Sequence, residues 1–535
     1  MGASLRALRA LVLLAGFYLL GVVLLALLAA ADIGIIAAGA HGFAAAKLIA
    51  VTVVLAVPIV RGMFMLRTPK GEPVPGVPVT EAQEPALWQA VREVAAQVGT
   101  RVPDEIVLIA DVNAAVSEDA RLLGLLPGTR RLYIGLPLMT GFDEMQLRAV
   151  LAHEMGHYAN LDTRLTPLIA RGRAQLIRTI RHFHDRADAK VAKERARQEK
   201  KAAQRLAKGK TAQKVDTAGQ GAMYRAMAKI YVAYGNFYQR ATLSSARRQE
   251  LAADLASVRV AGRDSAASAL RELNALGPAH EFYMDAYATL GVGAELLPPP
   301  GEVFGGLRRL LEARRAELDE LRRDLPTEPT EPYDSHPALA ERVARIEALP
   351  DDGRGAQAAR PALALLSAPE AAQAALEQAV LTPQALALTR VDWPELVHLS
   401  MTRYVSQGSE EIRAAFTAEG ADPARGLGAV LDAIDADPAL RWRLADRFPK
   451  SEEAAAATGR TAREFARPVV RRALNQLVTV ELTARDSARW ELSWSDSAAL
   501  RYPCDDFEEQ LRSALEAATA DQCDTEPLRK LVLAS

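Results

Sequence analysis

The stretch His153-Glu154-Met155-Gly156-His157 decides how the rest of this chain is interpreted. Two histidines four residues apart lie on one face of a helix, so both imidazoles can reach the same metal ion. The glutamate beside the first histidine points elsewhere and is free to take a proton from a water molecule. The chain has only eight histidines, so chance rarely produces this spacing. The pattern predicts half of a catalytic zinc site, and the alternative is an exposed helix with two solvated histidines.

The residues around the motif favour the metal site. Thr140 or Asp143 can cap the start of a helix, and Gly156 lowers helix propensity by about 1 kcal/mol relative to alanine. We expect that this glycine allows a backbone or a substrate to approach closely. Apolar residues at helical spacing predict a buried face on the same helix: Leu147, Val150, Leu151 and Met155.

A hydrolytic zinc site needs a third protein ligand, and the segment from Ser245 to Asp254 offers one. Glu250 and Asp254 are four residues apart and project from the same face of a predicted helix. Glu250 could bind the metal while Asp254 accepts a hydrogen bond from a ligating histidine. An ordinary exposed helix with charged partners four residues apart explains the spacing equally well.

The sequence of this second helix resembles that of a known family. The chain resembles the membrane-associated zinc metallopeptidases that include the HtpX-type heat-shock proteases and the type I CAAX prenyl proteases. In that family the motif Ser-Arg-x-x-Glu-x-x-Ala-Asp follows the histidines, and its glutamate is the third zinc ligand. Arg247, Glu250, Ala253 and Asp254 match it, whereas Ala246 replaces the serine. The resemblance therefore implies that Glu250 binds zinc.

Two further motifs extend the resemblance over roughly residues 80–350. His336-Pro337 through Arg342-Val343 matches His-Pro-x-x-x-x-Arg-Ile/Val, which implies that His336 and Arg342 help to hold the substrate carbonyl or its oxyanion. Asn113-Ala114 resembles the edge strand beside the family's cleft, although Ala115 stands where phenylalanine is usual.

Composition limits the class of protein. The 535 residues allow two or three domains, and the net charge of −1 argues against a globally basic nucleic-acid binder. Cys504 and Cys523 lie far from the predicted ligands and are expected to be buried or free thiols, although they could pair.

The N-terminal region predicts a membrane anchor of two transmembrane helices in residues 1–67. Leu11–Ala31 carries no charge and is long enough to cross a bilayer, and Leu48–Val60 is the core of a second predicted crossing. Basic residues on both flanks place the two ends, and the catalytic domain, in the cytoplasm. A cleaved signal peptide competes for the first segment, and a re-entrant second segment would reverse the orientation. We expect a multi-pass protein of the bacterial inner membrane.

The predicted fold class is α+β and mostly helical, with a zincin-like metallopeptidase domain over residues 68–350. We expect a helix over Glu84–Val98, a strand over Glu105–Ala110, and a hairpin formed by Leu122–Leu126 and Arg131–Leu136. An extended peptide could then add to the edge of this sheet.

Residues 171–229 form a basic helical insertion with seventeen Lys/Arg and five Asp/Glu. This insertion is predicted to be a solvated helix, and contact with anionic lipid is the functional alternative. Family relatives of the HtpX type carry membrane spans here, whereas nothing from 171 to 220 is apolar enough to cross. No specific binding of nucleic acid is expected, because aromatic residues are sparse.

Residues 351–535 predict a mainly helical C-terminal domain of unknown role. Ala371–Val380 and Thr461–Gln476 have helical patterns, and Leu477–Thr483 with Ala488–Trp494 is predicted to form a hairpin. The region has no recognisable ligand cluster or nucleophile motif.

These features together predict a membrane-anchored, gluzincin-like zinc endopeptidase that hydrolyses protein or peptide substrates, with a role in membrane-protein quality control. His153, His157 and Glu250 would bind Zn²⁺, Asp254 would orient a ligand, and Glu154 would act as the general base. The alternative from another class is a catalytically silent membrane scaffold that binds partners through its helical C-terminal region. A prenyl-protein processing enzyme shares the chemistry but needs an enclosed apolar chamber.

Overall fold

The computed structural model describes residues 3–39, 42–64, 74–118, 128–159, 166–206, 216–328, 337–354 and 359–533. The chain forms two compact units. The first contains Met1–Leu276 and Glu320–Pro369, and the second contains Gly277–Asp319 and Glu370–Ser535. These units divide the chain differently from the predicted boundaries at residues 67 and 350, because the N-terminal helices pack within the first unit.

The first unit is mostly helical around one small sheet. Its strands are β1 (Gly76–Val79), β2 (Glu105–Ile109), β3 (Ala114–Glu118) and β4 (Arg130–Gly135). Its helices are α1 (Ala3–Ala37), α2 (Phe43–Phe64), α3 (Pro85–Val98), α4 (Leu136–Gly141), α5 (Glu144–Ala159), α6 (Thr166–Leu206), α7 (Ala222–Ala261) and α12 (Leu339–Glu347). Two more helices, α8 (Arg263–Tyr283) and α11 (Arg315–Arg323), each have one part in this unit.

The four strands follow the order β1-β2-β4-β3, so β3 is an edge strand. Strand β2 pairs in parallel with β4, and β3 pairs with β4 in antiparallel orientation. Helix α3 and strands β2 and β4 lie where the sequence predicts them. The predicted strand Leu122–Leu126 falls outside the described residues, and the described antiparallel partner of β4 is instead Ala114–Glu118.

Helix α5 begins with a reciprocal cap. The Asp143 carboxylate accepts a hydrogen bond from the backbone N–H of Gln146 at 2.7 Å, and the Gln146 side chain accepts one from the backbone N–H of Asp143 at 2.9 Å. This capping box satisfies two helix-terminal donors and fixes where the helix starts. Of the two predicted caps, Asp143 is the one used, because the Thr140 hydroxyl bonds back to the carbonyl of Leu136.

Helices α5 and α7 pack against each other at Gly156. A Cβ atom built there would lie 3.1 Å from the Cβ of Ala256 and 3.2 Å from the Cα of Ala253. Nearby, the Ser257 hydroxyl donates to the backbone carbonyl of Ala149. The expected close approach at Gly156 is therefore made by the backbone of α7.

Helices α1, α2, α6 and α7 form a four-helix bundle. Buried side chains from all four helices meet in its core: Phe17, Leu24, Leu55, Ile59, Met63, Leu176, Phe183, Tyr224 and Tyr231. The prediction that residues 171–229 form a solvated helix is therefore wrong where α6 and the start of α7 pack in the bundle, because one face of each helix is buried there. Helix α6 has an apolar face that packs in the bundle, and its charged residues, such as Arg181 and Arg186, lie on the exposed face.

The structure does not confirm a transmembrane hairpin. Both predicted spans are helical, but within the described ranges only Ala15–Ala37 is long and apolar enough to cross a membrane. The uncharged part of α2 extends only from Leu48 to Val60 between Lys47 and Arg61. At about 1.5 Å per residue this stretch is roughly 20 Å long, which is shorter than the hydrocarbon core of a bilayer.

The second unit is a helical domain with two short ladders. Its core is lined by residues such as Phe416, Leu431, Leu474 and Leu515. It contains α9 (Glu302–Gly305), α10 (Leu307–Ala313), α13 (Pro369–Val380), α14 (Pro383–Leu386), α15 (Trp393–Gly408), α16 (Glu410–Ala418), α17 (Leu427–Ala436), α18 (Leu440–Asp446), α19 (Glu452–Ala456), α20 (Gly459–Ala484), α21 (Phe507–Thr519) and α22 (Glu526–Leu533). Its strands are β5 (Leu296–Leu297), β6 (Thr389–Arg390), β7 (Arg489–Glu491) and β8 (Ala499–Arg501).

The predicted hairpin over residues 477–494 is wrong. Leu477–Thr483 continues helix α20, and β7 pairs with β8 rather than with this segment. Leu474, Val478 and Leu482 are fully buried at helical spacing, so packing decides the conformation of this β-branched run. Cys504 and Cys523 are free, as expected.

We predict that Gly156→Val destabilises the first unit by about 1–3 kcal/mol, because the new side chain must push α7 away from α5. Gly34→Val is the matched control, since a Cβ at Gly34 meets no described atom within 4 Å. Chemical unfolding of both variants in detergent measures the difference. Equal stability of the two variants would show that the helices are not in close contact at Gly156.

Candidate metal centre

Three side chains from α5 and α7 converge on one point. One ligand atom each of His153, His157 and Glu250 lies within 4.8 Å of the other two. The Glu250 carboxylate is 3.4 Å from Nε2 of His153 and 3.8 Å from Nε2 of His157. The two imidazole rings are 4.9 Å apart and nearly perpendicular. Two nitrogen donors and one oxygen donor at these distances could hold a single metal ion.

Asp254 and Arg342 surround the other side of His153. The Asp254 carboxylate lies 3.1 Å from Nδ1 of His153. Arg342, on α12, donates to both oxygens of the same carboxylate, from Nη2 at 2.6 Å and from Nε at 3.1 Å. All three side chains are buried. Because Nδ1 faces Asp254, Nε2 is the nitrogen that His153 presents toward Glu250 and His157.

Burial and charge act in opposite directions on this cluster. Desolvation alone would lower the pKa of His153, but hydrogen bonds to the Asp254 and Glu250 carboxylates outweigh it and raise the pKa to about 9. Burial would raise the pKa of Asp254, but hydrogen bonds from His153 and Arg342 outweigh it and lower that pKa. The cluster is therefore an alternation of positive and negative groups in which Asp254 remains a carboxylate.

Glu154 is partly exposed beside these residues. Its negative charge contributes to raising the pKa of Arg342 and of Tyr158, so the carboxylate lies within electrostatic reach of both side chains. This position differs from that of the buried Glu250 and leaves Glu154 accessible to a water molecule or a substrate.

The structure thus brings together five of the predicted site residues: His153, Glu154, His157, Glu250 and Asp254. It also adds Arg342, although its described contacts are to Asp254 and to Nδ1 of His153, which is 3.4 Å away. His336 lies outside the described residues. The roles of His336 and Arg342 toward an oxyanion stay predictions.

Comparison with known families gives a match over the region that contains the candidate site. Residues 81–349, just over half of the chain, match the family model for peptidase family M48. The chain belongs to peptidase family M48. Members of this family are metallopeptidases, so the three converging side chains are a candidate metal site that fits the class of protein. The match does not distinguish HtpX-type from CAAX-type members, and neither the curated proteins nor the solved structures give a significant match.

Residues of this M48 peptidase that the sequence did not single out connect α5 to the sheet. The Tyr158 hydroxyl donates to the backbone carbonyl of Val116 at 2.7 Å. The guanidinium of Arg130 lies 4.8 Å from the centre of the Tyr158 ring and forms an ion pair with Glu118 at 2.9 Å. The only sequence signal for this contact is that Tyr158 follows His157 directly, four residues after Glu154.

We predict that Arg342→Ala lowers the free energy of unfolding of the M48 peptidase by about 3–5 kcal/mol, because it leaves the buried Asp254 carboxylate without its bidentate partner. Arg345→Ala is the matched control on the same helix. Arg345 is half-exposed and pairs with Glu341, so its loss should cost less than about 1 kcal/mol. Chemical unfolding compares the two variants, and equal effects would contradict a structural pairing of Arg342 with Asp254.

Proposed function

We propose that this chain is a membrane-anchored zinc endopeptidase. The observation that carries the proposal is the convergence of His153, His157 and Glu250, with the orientation of His153 fixed by Asp254. The site fits zinc, because zinc in proteins commonly binds imidazole nitrogens together with a carboxylate oxygen. A buried carboxylate that faces a ligating histidine is also the usual outer partner of such a site.

A zinc ion in this site would act as a Lewis acid that polarises a peptide carbonyl and makes water acidic enough to attack near neutral pH. The chain itself supplies the proton transfers. Glu154 accepts a proton from the attacking water and then delivers it to the departing amine. Asp254 and Arg342 hold His153 in one orientation during both transfers. By family resemblance, His336 and Arg342 also stabilise the developing negative charge.

We propose extended segments of proteins as substrates. Strand β3 is the edge of its sheet and lies against α5, so a peptide that pairs with β3 runs beside the catalytic glutamate. Membrane proteins are a suitable substrate class for an anchored enzyme, because their soluble segments lie close to the bilayer surface. A role in membrane-protein quality control follows from that location.

We propose that α1 and α2 anchor the enzyme in the membrane, with the start of α1 and the end of α2 in the cytoplasm. Helix α1 exposes large apolar residues that water would not favour: Val12, Leu19, Val22, Val23, Leu27, Ile33 and Ile36. Asp32 within this helix accepts hydrogen bonds from the Thr52 hydroxyl at 2.7 and 2.8 Å. A Cβ at Gly21 would contact Met63, so α2 returns antiparallel to α1. The chain after α2 therefore lies on the same side as the N-terminus, and basic residues favour the cytoplasm.

We predict opposite outcomes for the two glutamates of the site. Glu154→Gln should keep about one zinc per chain and lose at least about 100-fold in chelator-sensitive casein cleavage, because the general base is removed. Glu250→Ala should lose most of its zinc together with activity, because a ligand is removed. Elemental analysis and proteolysis are measured on the same samples. Glu144→Gln, in the first turn of α5, is the control that should keep both properties.

Normal turnover of Glu154→Gln would refute the assignment of the base, and unchanged zinc content of Glu250→Ala would move the third ligand elsewhere. A wild-type protein that binds zinc and cleaves nothing would favour the silent scaffold.

We predict that Cys504, which is exposed, reacts with a membrane-impermeant maleimide only after cells are opened. The labelled protein carries Cys523→Ser, so that Cys504 is its only cysteine. A second protein lacks both natural cysteines and carries Ala38→Cys, directly after α1. This position reports the opposite side of the membrane and should be labelled in intact cells. Labelling of Cys504 in intact cells would contradict a cytoplasmic catalytic domain.

A further inference from the structure

The register of strand β3 determines which of its backbone groups can pair with another chain. The backbone N–H of Gly135 donates to the carbonyl of Asn113 at 2.8 Å, and Ala114 stands opposite Ile134. In an antiparallel pair, hydrogen-bonded and non-hydrogen-bonded positions alternate. Ala115 and Ser117 therefore bond to β4. Ala114, Val116 and Glu118 direct their N–H and carbonyl groups to the outer side of the sheet.

The middle one of these three outward positions is already occupied. The carbonyl of Val116 accepts the hydrogen bond from the Tyr158 hydroxyl. A peptide that pairs with β3 would need the same carbonyl. The side chain that blocks it belongs to the residue next to His157, so the block lies directly beside the proposed metal ligands.

Tyr158 is held in this position by more than one contact. Arg130 stacks on its ring, and the same guanidinium donates to Glu118, to the Thr100 hydroxyl at 3.0 Å and to the carbonyl of Arg101 at 2.8 Å. The Tyr158 side chain is therefore held at its hydroxyl by Val116 and across its ring by Arg130.

We propose that Tyr158 sets substrate specificity by limiting how far an extended peptide pairs with β3. A peptide can pair at Ala114 without contacting the bond made by Tyr158, whereas pairing at Val116 must compete with the hydroxyl for the same carbonyl oxygen. The enzyme therefore favours substrates whose extended segment is short on the Val116 side of the cleaved bond. This inference rests on the proposed function, since it concerns the substrate of the same site.

The test measures peptide binding without cleavage, in the Glu154→Gln background. The probes are a fluorescent, uncharged peptide of about ten residues, which is long enough to cover all of β3, and its central segment of about four residues. Tyr158→Phe keeps the ring on Arg130 and removes the hydroxyl. The affinity for the long peptide, divided by that for the short one, should rise about five-fold, which corresponds to one hydrogen bond of ordinary net strength.

Tyr133→Phe, on β4, is the matched control and should leave this ratio unchanged. An unchanged ratio in Tyr158→Phe would overturn the proposal, as would a ratio that falls. Zinc content and thermal unfolding of each variant show whether the site is intact. The unsubstituted protein, which retains Glu154, is assayed for cleavage separately. If it cleaves nothing while Tyr158→Phe still raises the affinity ratio, the proposed hydrolysis is overturned but the role of Tyr158 in peptide pairing is not.

Discussion

The candidate metal centre depends on the close packing of α7 against α5. His153 and His157 come from one helix and Glu250 from the other, and their side chains are too short to meet unless the two backbones approach closely. Gly156 permits this approach, because even a Cβ atom at its position would lie only 3.1 Å from the Cβ of Ala256 and 3.2 Å from the Cα of Ala253. The glycine lies between the two histidines in sequence and within about 100° of each around the helix axis, so this close contact of the helices and the candidate ligands lie in the same region.

A second constraint is electrostatic. Asp254 is a buried carboxylate, and such a group is stable only when its charge is compensated. The compensation comes from His153 on α5 and from Arg342 on α12, so three helices that are distant in sequence share one charge cluster. Arg342 thereby contributes to the structure of the candidate metal centre. Asp254 and Arg342 both lie at Nδ1 of His153, which leaves Nε2 on the side of Glu250 and His157.

The sequence predicted the local features well and the long-range ones poorly. The helix around His153, its cap at Asp143 and the placement of Glu250 and Asp254 on one face of a helix all depend on residues within a few positions, where spacing is informative. The contact of Tyr158 with Val116 depends on the register of β3, which no local pattern shows. Leu477–Thr483 has β-branched residues but packs as a helix, because tertiary contacts override propensity.

The basic insertion gives the same lesson. Its high charge led to the prediction of a solvated helix, and α6 is helical, but Leu176, Phe183 and Ala187 on this helix are buried and widely spaced in sequence. Their importance is visible only when α1 and α2 are in place to cover them. The many charged residues of the segment made the apolar face of α6 hard to recognise from the sequence.

Helix α7 is continuous over 40 residues, which corresponds to about 60 Å. Its first half supplies Tyr224 and Tyr231 to the bundle with α1 and α2, and its second half supplies Glu250 and Asp254. Removal of the first 64 residues to obtain a soluble protein would uncover the aromatic surface of the same helix that positions a candidate metal ligand. The solubility of such a shortened protein and the geometry of the candidate metal centre therefore depend on one helix, and a soluble form requires new polar residues on α6 and α7.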